Sequence, residues 1–171
     1  MATGKGHVLA RRELWIFDAD DTLRRTTVPG QPCPRGAGEW TLLPGVRETL
    51  HAVRWNAPGW PKLGLASNQD QIGAGLLTRT TARGLLRALA HMAAGVIPPE
   101  PAIQLCPHAL GIACECRKPR PGMLDRIMVF YGVAADATAM VGDSEADQGA
   151  AAAAGVAFIH ASDLFGWRQT A

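Results

Sequence analysis

Short apolar runs that each stop at a polar cluster recur along the chain. Leu14-Trp15-Ile16-Phe17 stops at Asp18, Leu63-Gly64-Leu65-Ala66 at Ser67-Asn68, Ala102-Ile103-Gln104-Leu105 at Cys106, and Ala139-Met140-Val141 at Gly142-Asp143; Val156-Ala157-Phe158-Ile159 makes a fifth. Such runs suit strands buried on both faces. Between them lie helical stretches over Gly45 to Arg54, Thr80 to Ala94, Pro121 to Tyr131 and Ser144 to Ala154. Pro121 suits a first turn, Gly132 and Gly155 suit left-handed helix ends, and Ser144 with Asp147 three residues on marks an N-terminus. The alternation predicts an α/β fold, a central parallel sheet flanked by helices, with its chemistry at the carboxyl ends of the strands. The stretch 24–40, with Pro29, Gly30, Pro32, Pro34, Gly36 and Gly38, breaks the rhythm and is expected to hold no regular element. Because it leaves from the end of the first strand, it reads as a flap over the site.

Composition bounds this picture. With 171 residues, 47% of them hydrophobic and 19% charged, the chain has material for one self-folding domain over 1–171. A net charge of +2 excludes a general nucleic-acid or membrane-surface binder. No run reaches the roughly 18 apolar residues of a membrane span, and nothing apolar precedes Arg11-Arg12, so a cytoplasmic monomer is expected.

Three polar constellations follow predicted strands. Asp18-Ala19-Asp20-Asp21-Thr22 packs three acids into four residues, which is costly unless a cation or substrate uses them. In extended chain Asp18 and Asp20 point the same way, so one can attack while the other shuttles a proton; a plain polar turn is the alternative. In Gly142-Asp143-Ser144-Glu145-Ala146-Asp147, Asp143 and Asp147 share a face at a helix start, where acids are also favourable for structure alone. Arg117-Lys118 precedes a helix and is either a phosphate-binding pair or an ordinary surface pair. Ser67-Asn68-Gln69 supplies hydroxyl and amide donors suited to phosphate oxygens.

Cys106-Pro107-His108 and Cys114-Glu115-Cys116 form a further group. Three thiolates and an imidazole satisfy a closed tetrahedral Zn²⁺ site over the loop 106–116, with a reduced cysteine cluster as the alternative. Cys33 stands apart without a role. His7, His51, His91 and His160 read as surface or packing residues, and Trp55, Trp60 and Trp167 as core or edge packing. Arg79, Arg83 and Arg87 read as a solvated helix face.

In order and spacing, the first three constellations and Ser67-Asn68 resemble the four motifs of the haloacid dehalogenase-like phosphohydrolase superfamily. The resemblance implies a Rossmann-like core without a large cap, Asp18 as the nucleophile that forms an aspartyl-phosphate, and Asp20 as general acid and base. It further implies Mg²⁺ held by the Asp18 carboxylate, the Asp20 carbonyl and Asp143, with Asp147 behind them. Ser67, Asn68 and Lys118 would contact the phosphoryl group. Asp21 departs from the pattern, standing where many members have Gly. Cys-Pro-His…Cys-x-Cys-Arg-Lys-Pro-x-Pro-Gly-Met resembles the zinc-loop subgroup that acts on heptose bisphosphates and histidinol phosphate, and implies a small phosphorylated substrate with Arg117 on a second anionic group. The alternatives are a polynucleotide 3′-phosphatase, gripping a nucleic-acid end with Arg24, Arg25, Arg35 and Trp40, and a non-catalytic binding protein that keeps the fold. Without a cap, selectivity is expected from the flap, Arg117 and the zinc loop.

Overall fold

The computed structural model describes Leu9 and residues 11–167; His7 lies outside them. Five parallel strands build the main sheet: β1 (Leu14–Phe17), β4 (Lys62–Asn68), β5 (Ile103–Cys106), β6 (Thr138–Gly142) and β7 (Ala157–His160), in the order β5-β4-β1-β6-β7. The predicted α/β sheet is therefore present, with each strand within about two residues of its apolar run. Order reverses at β1, so its carboxyl end opens into the crevice between β4 and β6, the position where open α/β sheets bind ligands.

Alternation along β1 divides the core. Trp15 and Phe17 face α1 (Val46–Leu50), α3 (Arg79–Ala94) and α6 (Ala161–Phe165), whereas Leu14 and Ile16 face α4 (Gly122–Tyr131) and α5 (Glu145–Ala154). Burial on both faces explains the lack of a polar residue in this strand. Helix α1 is half the length its sequence suggests. The Trp55 indole donates to the Leu50 carbonyl at 2.8 Å, occupying an acceptor that a further turn would need. Elsewhere the caps fall near their expected places: Thr78 caps α3, Ser144 and Asp147 form a reciprocal capping box on α5, and Gly95, Gly132 and Gly155 end their helices in the left-handed conformation.

The flap is not wholly irregular, which corrects the expectation. Its ends pair as an antiparallel ribbon, β2 (Arg24–Thr26) with β3 (Trp40–Leu42), in the register Arg25↔Thr41. A short helix, α2 (Asp70–Gly73), also follows β4. The arginine face of α3 is partly engaged, since Arg83 and Arg87 both pair with Glu100. Among the described residues, no helix is long and apolar enough to cross a membrane.

Candidate active site and metal clusters

Asp18, at the end of β1, is anchored by its backbone N–H donating to the Val141 carbonyl at 2.9 Å. Lys118 reaches it from the loop before α4: its Nζ lies 2.6 Å from Asp18 Oδ1, 2.6 Å from Asp147 Oδ1 and 2.7 Å from the Ala66 carbonyl. All three charged side chains are buried. Two carboxylates thus share one ammonium, and burial, opposed by Lys118 and reinforced by Asp147, pushes the Asp18 carboxyl up to about 7. Burial pulls the Lys118 ammonium down, but the two carboxylates outweigh it and hold it above its ordinary value. Asn68 fixes the Lys118 backbone reciprocally, accepting from its N–H and donating to its carbonyl, each at 3.1 Å. One Asn68 amide hydrogen remains for a ligand.

The acidic turn after Asp18 is closed by the Arg24 N–H donating to the Ala19 carbonyl at 3.1 Å. Asp21 has φ 58°, the left-handed conformation that favours Gly, and Asp is among the few side chains that tolerate it. Thr22 donates to Asp143 Oδ1 at 2.9 Å, tying this turn to the turn after β6. Burial raises the Asp143 carboxyl although the Thr22 bond opposes it. Asp147 Oδ2 accepts from the Asp143 and Ser144 N–H groups at 3.2 and 3.1 Å, and from the Ser144 hydroxyl at 2.6 Å. Its Oδ1 touches the Lys118 charge outside hydrogen-bond geometry and has no hydrogen-bond partner.

That buried oxygen, paired only with the Lys118 charge, bears on metal binding. Single oxygens of Asp18, Asp143 and Asp147 lie within 4.8 Å of one another, an all-carboxylate donor set suited to a hard cation such as Mg²⁺. These three line a cavity of about 160 Å³ together with Asp20, Ser67, Asn68, Lys118 and Ser144. A larger cavity of about 420 Å³, lined by Arg11, Arg12, Trp60, Lys62 and Tyr131, lies at the opposite end of β1 and β4 and holds none of these groups.

The cysteine group assembles as its spacing suggests. Cys114 Sγ lies 3.7 Å from both Cys106 Sγ and Cys116 Sγ, and His108 Nδ1 lies 3.4 and 3.3 Å from Cys106 and Cys116. A tetrahedron with ordinary Zn–S and Zn–N bonds has edges of about 3.8 Å between sulfurs and about 3.5 Å between sulfur and nitrogen. The four donors therefore fit that ion. Burial opposes ionisation of Cys114, but hydrogen bonds led by the Arg117 N–H hold its thiol below its ordinary value; burial and the neighbouring sulfurs push Cys116 up to about 12. The loop seats tightly on the start of α4, where a Cβ on Gly122 would overlap the Glu115 carbonyl oxygen. Arg117 leaves this loop with its guanidinium 3.5 Å from the His108 carbonyl and 3.5 Å from Asp70.

Four supporting residues, Arg24, Arg35, Gln69 and His160, have roles that the sequence pattern does not announce. Arg24 is not a flap cation awaiting a nucleic-acid end: it is 1% exposed and bonded to Asp20, with Trp40 packed against it. Arg35 is likewise engaged: its Nε donates to Gln71 Oε1, and its backbone N–H donates to Glu39. Gln69 bridges Asp20 and Ser67 at 2.9 and 2.8 Å. His160 is more than packing. Its Nδ1 accepts from the Ser162 N–H at 3.2 Å, so the proton sits on Nε2, which donates to the Asp143 carbonyl at 3.2 Å. Trp55 is core, as expected, and Cys33 is buried against Gln69 and Gln71.

The turn after β6 offers a direct check. A Cβ on Gly142 would overlap Asp147 Cβ and Cγ. Gly142→Ala is expected to cost about 1–3 kcal/mol by overpacking, lowering the melting temperature by roughly 2–12 °C. It should also impair any metal-dependent activity that needs Asp143 and Asp147 in register.

The model of the haloacid dehalogenase-like hydrolase family matches residues 33–155, a stretch that begins after the acidic turn. A D-glycero-β-D-manno-heptose-1,7-bisphosphate 7-phosphatase of Bordetella bronchiseptica is 39% identical over 149 residues, 85% of this chain and 78% of that protein. The same enzyme of Pseudomonas putida is 35% identical over 120 residues, 68% of this chain and 65% of its own length. The crystal structure of the D,D-heptose 1,7-bisphosphate phosphatase from B. bronchiseptica, complexed with magnesium and phosphate, superposes with a TM-score of 0.69 at 33% identity, covering 85% of this chain and 78% of that one.

Proposed function

From the premise that this chain belongs to the haloacid dehalogenase-like hydrolases, we propose that it is a Mg²⁺-dependent phosphatase that takes one phosphate from a sugar bisphosphate of the heptose 1,7-bisphosphate type. The observation that carries the reading is Lys118 Nζ at 2.6 Å from both Asp18 and Asp147, with Asp20 in the same cavity. The names of the relatives supply the substrate class.

Asp18 is the nucleophile and Asp20 the proton carrier. An Asp18 oxygen bonds to phosphorus, the ester P–O bond breaks, and Asp20 protonates the leaving alkoxide. Asp20 then takes a proton from water, whose oxygen attacks the phosphorus and frees Asp18. Lys118, Ser67 and Asn68 hold the phosphoryl oxygens as charge spreads over them. Mg²⁺ held by the Asp18 carboxylate, the Asp20 carbonyl and Asp143 would neutralise part of that charge, with Asp147 orienting the turn behind them. Zn²⁺ on Cys106, His108, Cys114 and Cys116 would stiffen the loop that presents Arg117 and Lys118. Arg117, next to Lys118 in the chain and paired at 3.5 Å with Asp70, would take the second phosphate. The unit is one domain over 1–171, with substrate choice resting on the flap 24–40, Arg117 and the loop 106–116.

Phosphate release from D-glycero-β-D-manno-heptose 1,7-bisphosphate, histidinol phosphate and a 3′-phosphorylated oligonucleotide tests the reading. The heptose ester is expected to show the highest kcat/KM, by at least about tenfold, a margin that one extra phosphate contact supplies. Preference for the oligonucleotide would overturn it. The raised Asp18 carboxyl adds a metal prediction. Its proton must leave before the carboxylate can ligate, so apparent Mg²⁺ affinity should climb with pH up to about 7 and level off above. Calorimetry in buffers of different ionisation enthalpy should record proton release below that pH; its absence at pH 6 would contradict the assignment of Asp18 as a ligand.

A further inference from the structure

Arg24 stands four residues after Asp20, at the start of the flap ribbon, and is 1% exposed. Its Nε donates to Asp20 Oδ1 at 2.8 Å and its NH2 lies 3.4 Å from Oδ2, the oxygen that also accepts from Gln69 Nε2 at 2.9 Å. The guanidinium carbon lies 5.7 Å from the centre of the Trp40 ring, on the strand paired with its own. Backbone bonds complete the unit: the Arg24 carbonyl accepts from the Asp21 N–H at 2.7 Å.

As a stabilising device this is poor. Arg24 NH1 is buried without a hydrogen-bond partner, and so is Trp40 Nε1. A buried cation with an idle donor costs stability. What the arrangement does provide is a planar fork gripping both oxygens of Asp20, which fixes the plane and direction of that carboxyl group in a way a point charge does not. Gln69, held from the other side by Cys33 and Ser67, completes the grip.

Resting on the phosphatase reading above, we propose that Arg24 is the positioning residue of Asp20, and that through it the paired ends of the flap set the aim of the proton given to the leaving group. The consequence depends on the substrate. In the first half-reaction the bond from Asp18 to phosphorus forms, the ester P–O bond breaks, and the Asp20 proton passes to the departing oxygen. A primary alkoxide needs that proton. A p-nitrophenolate departs as a stable anion and needs it little. Misaiming Asp20 therefore penalises sugar esters more than aryl esters, whereas general damage to the site penalises both alike.

The test compares wild type, Arg24→Met and Arg24→Lys on heptose 1,7-bisphosphate and p-nitrophenyl phosphate with Mg²⁺ present. The readout is kcat/KM, which reports the chemistry through the first irreversible step and not the later hydrolysis of the phospho-enzyme. Arg24→Met is expected to lose at least about tenfold more on the sugar ester than on the aryl ester, since well-placed proton transfer contributes about 10²–10⁴-fold. Arg24→Lys, the milder change, should keep the charge and recover only part of that difference. Equal losses on both esters in both variants, at any melting temperature, would overturn the proposal, as would unchanged activity on the sugar ester. If wild type cleaves neither ester, the phosphatase reading itself fails and the inference falls with it, a result distinct from equal losses.

Discussion

Asp18→Asn is expected to lower phosphate release at least about 10³-fold, equivalent to about 4 kcal/mol of transition-state barrier. The argument is chemical first. An amide cannot attack phosphorus and regenerate itself by hydrolysis, whereas a carboxylate can. The structure adds that no other group stands ready to substitute. Asp147 is engaged through both oxygens, Oδ2 by the turn it caps and Oδ1 by the Lys118 charge, and Asp20 is gripped by Arg24 and Gln69. The fold should survive. Asn matches Asp in shape, Lys118 keeps Asp147 as its counter-charge, and burial already disfavours the ionised form of Asp18. A stability change under about 1 kcal/mol, or roughly 2–4 °C in melting temperature, is expected. Residual activity near wild type in a correctly folded variant would remove Asp18 from the nucleophile role.

Loss of the thiolate cluster is expected to have the second largest effect. Cys116→Ser should leave three donors where tetrahedral closure needs four, and metal analysis should find the variant depleted of about one equivalent of zinc relative to wild type. Stability should fall by at least about 3 kcal/mol, in line with loss of a structural metal, and the melting temperature by roughly 6–12 °C. Activity should fall with it, because Cys116 is separated from Lys118 by one residue and the whole loop is wedged against α4. Exhaustive treatment of wild type with a zinc-selective chelator should reproduce the phenotype in part, and zinc should rescue chelated wild type but not the variant. Full stability and full metal content in Cys116→Ser would show that the four donors are not a zinc site.

The strands were legible because burial on both faces demands continuous apolar runs such as Leu14–Phe17 and Ala139–Val141. Most catalytic candidates were legible for a related reason: the clusters at Asp18, Ser67 and Asp143 begin where such a run stops, whereas Lys118 stands out only by its place before a helix. The ribbon of the flap was not legible. Three-residue strands such as Arg24–Thr26 carry no period, and their pairing with Trp40–Leu42 spans a stretch rich in Pro and Gly. Arg24 entered only as a flap cation that could grip a nucleic-acid end, because no sequence pattern announces that an arginine will be buried. His160 posed a different difficulty. It lies 17 positions from Asp143, and only the register that sets Gly142 opposite His160 brings the two together. Gln69 was read as one polar donor among several, although its place between Asp20 and Ser67 follows from the short helix after β4.

The central position of β1 has a consequence for biosynthesis. Leu14 pairs with Lys62 on one side and with Thr138 on the other, so the strand that carries Asp18 leaves the ribosome nearly fifty residues before its first neighbour and more than 120 before its second. Four large apolar side chains, all at most 1% exposed in the finished fold, must wait through that interval. Non-local parallel pairing of this kind is slow and leaves sticky surface uncovered while it is awaited. Asp18 is thus made well before the strands that flank it, so nascent chains halted before β6 should depend on chaperones for solubility and carry no activity.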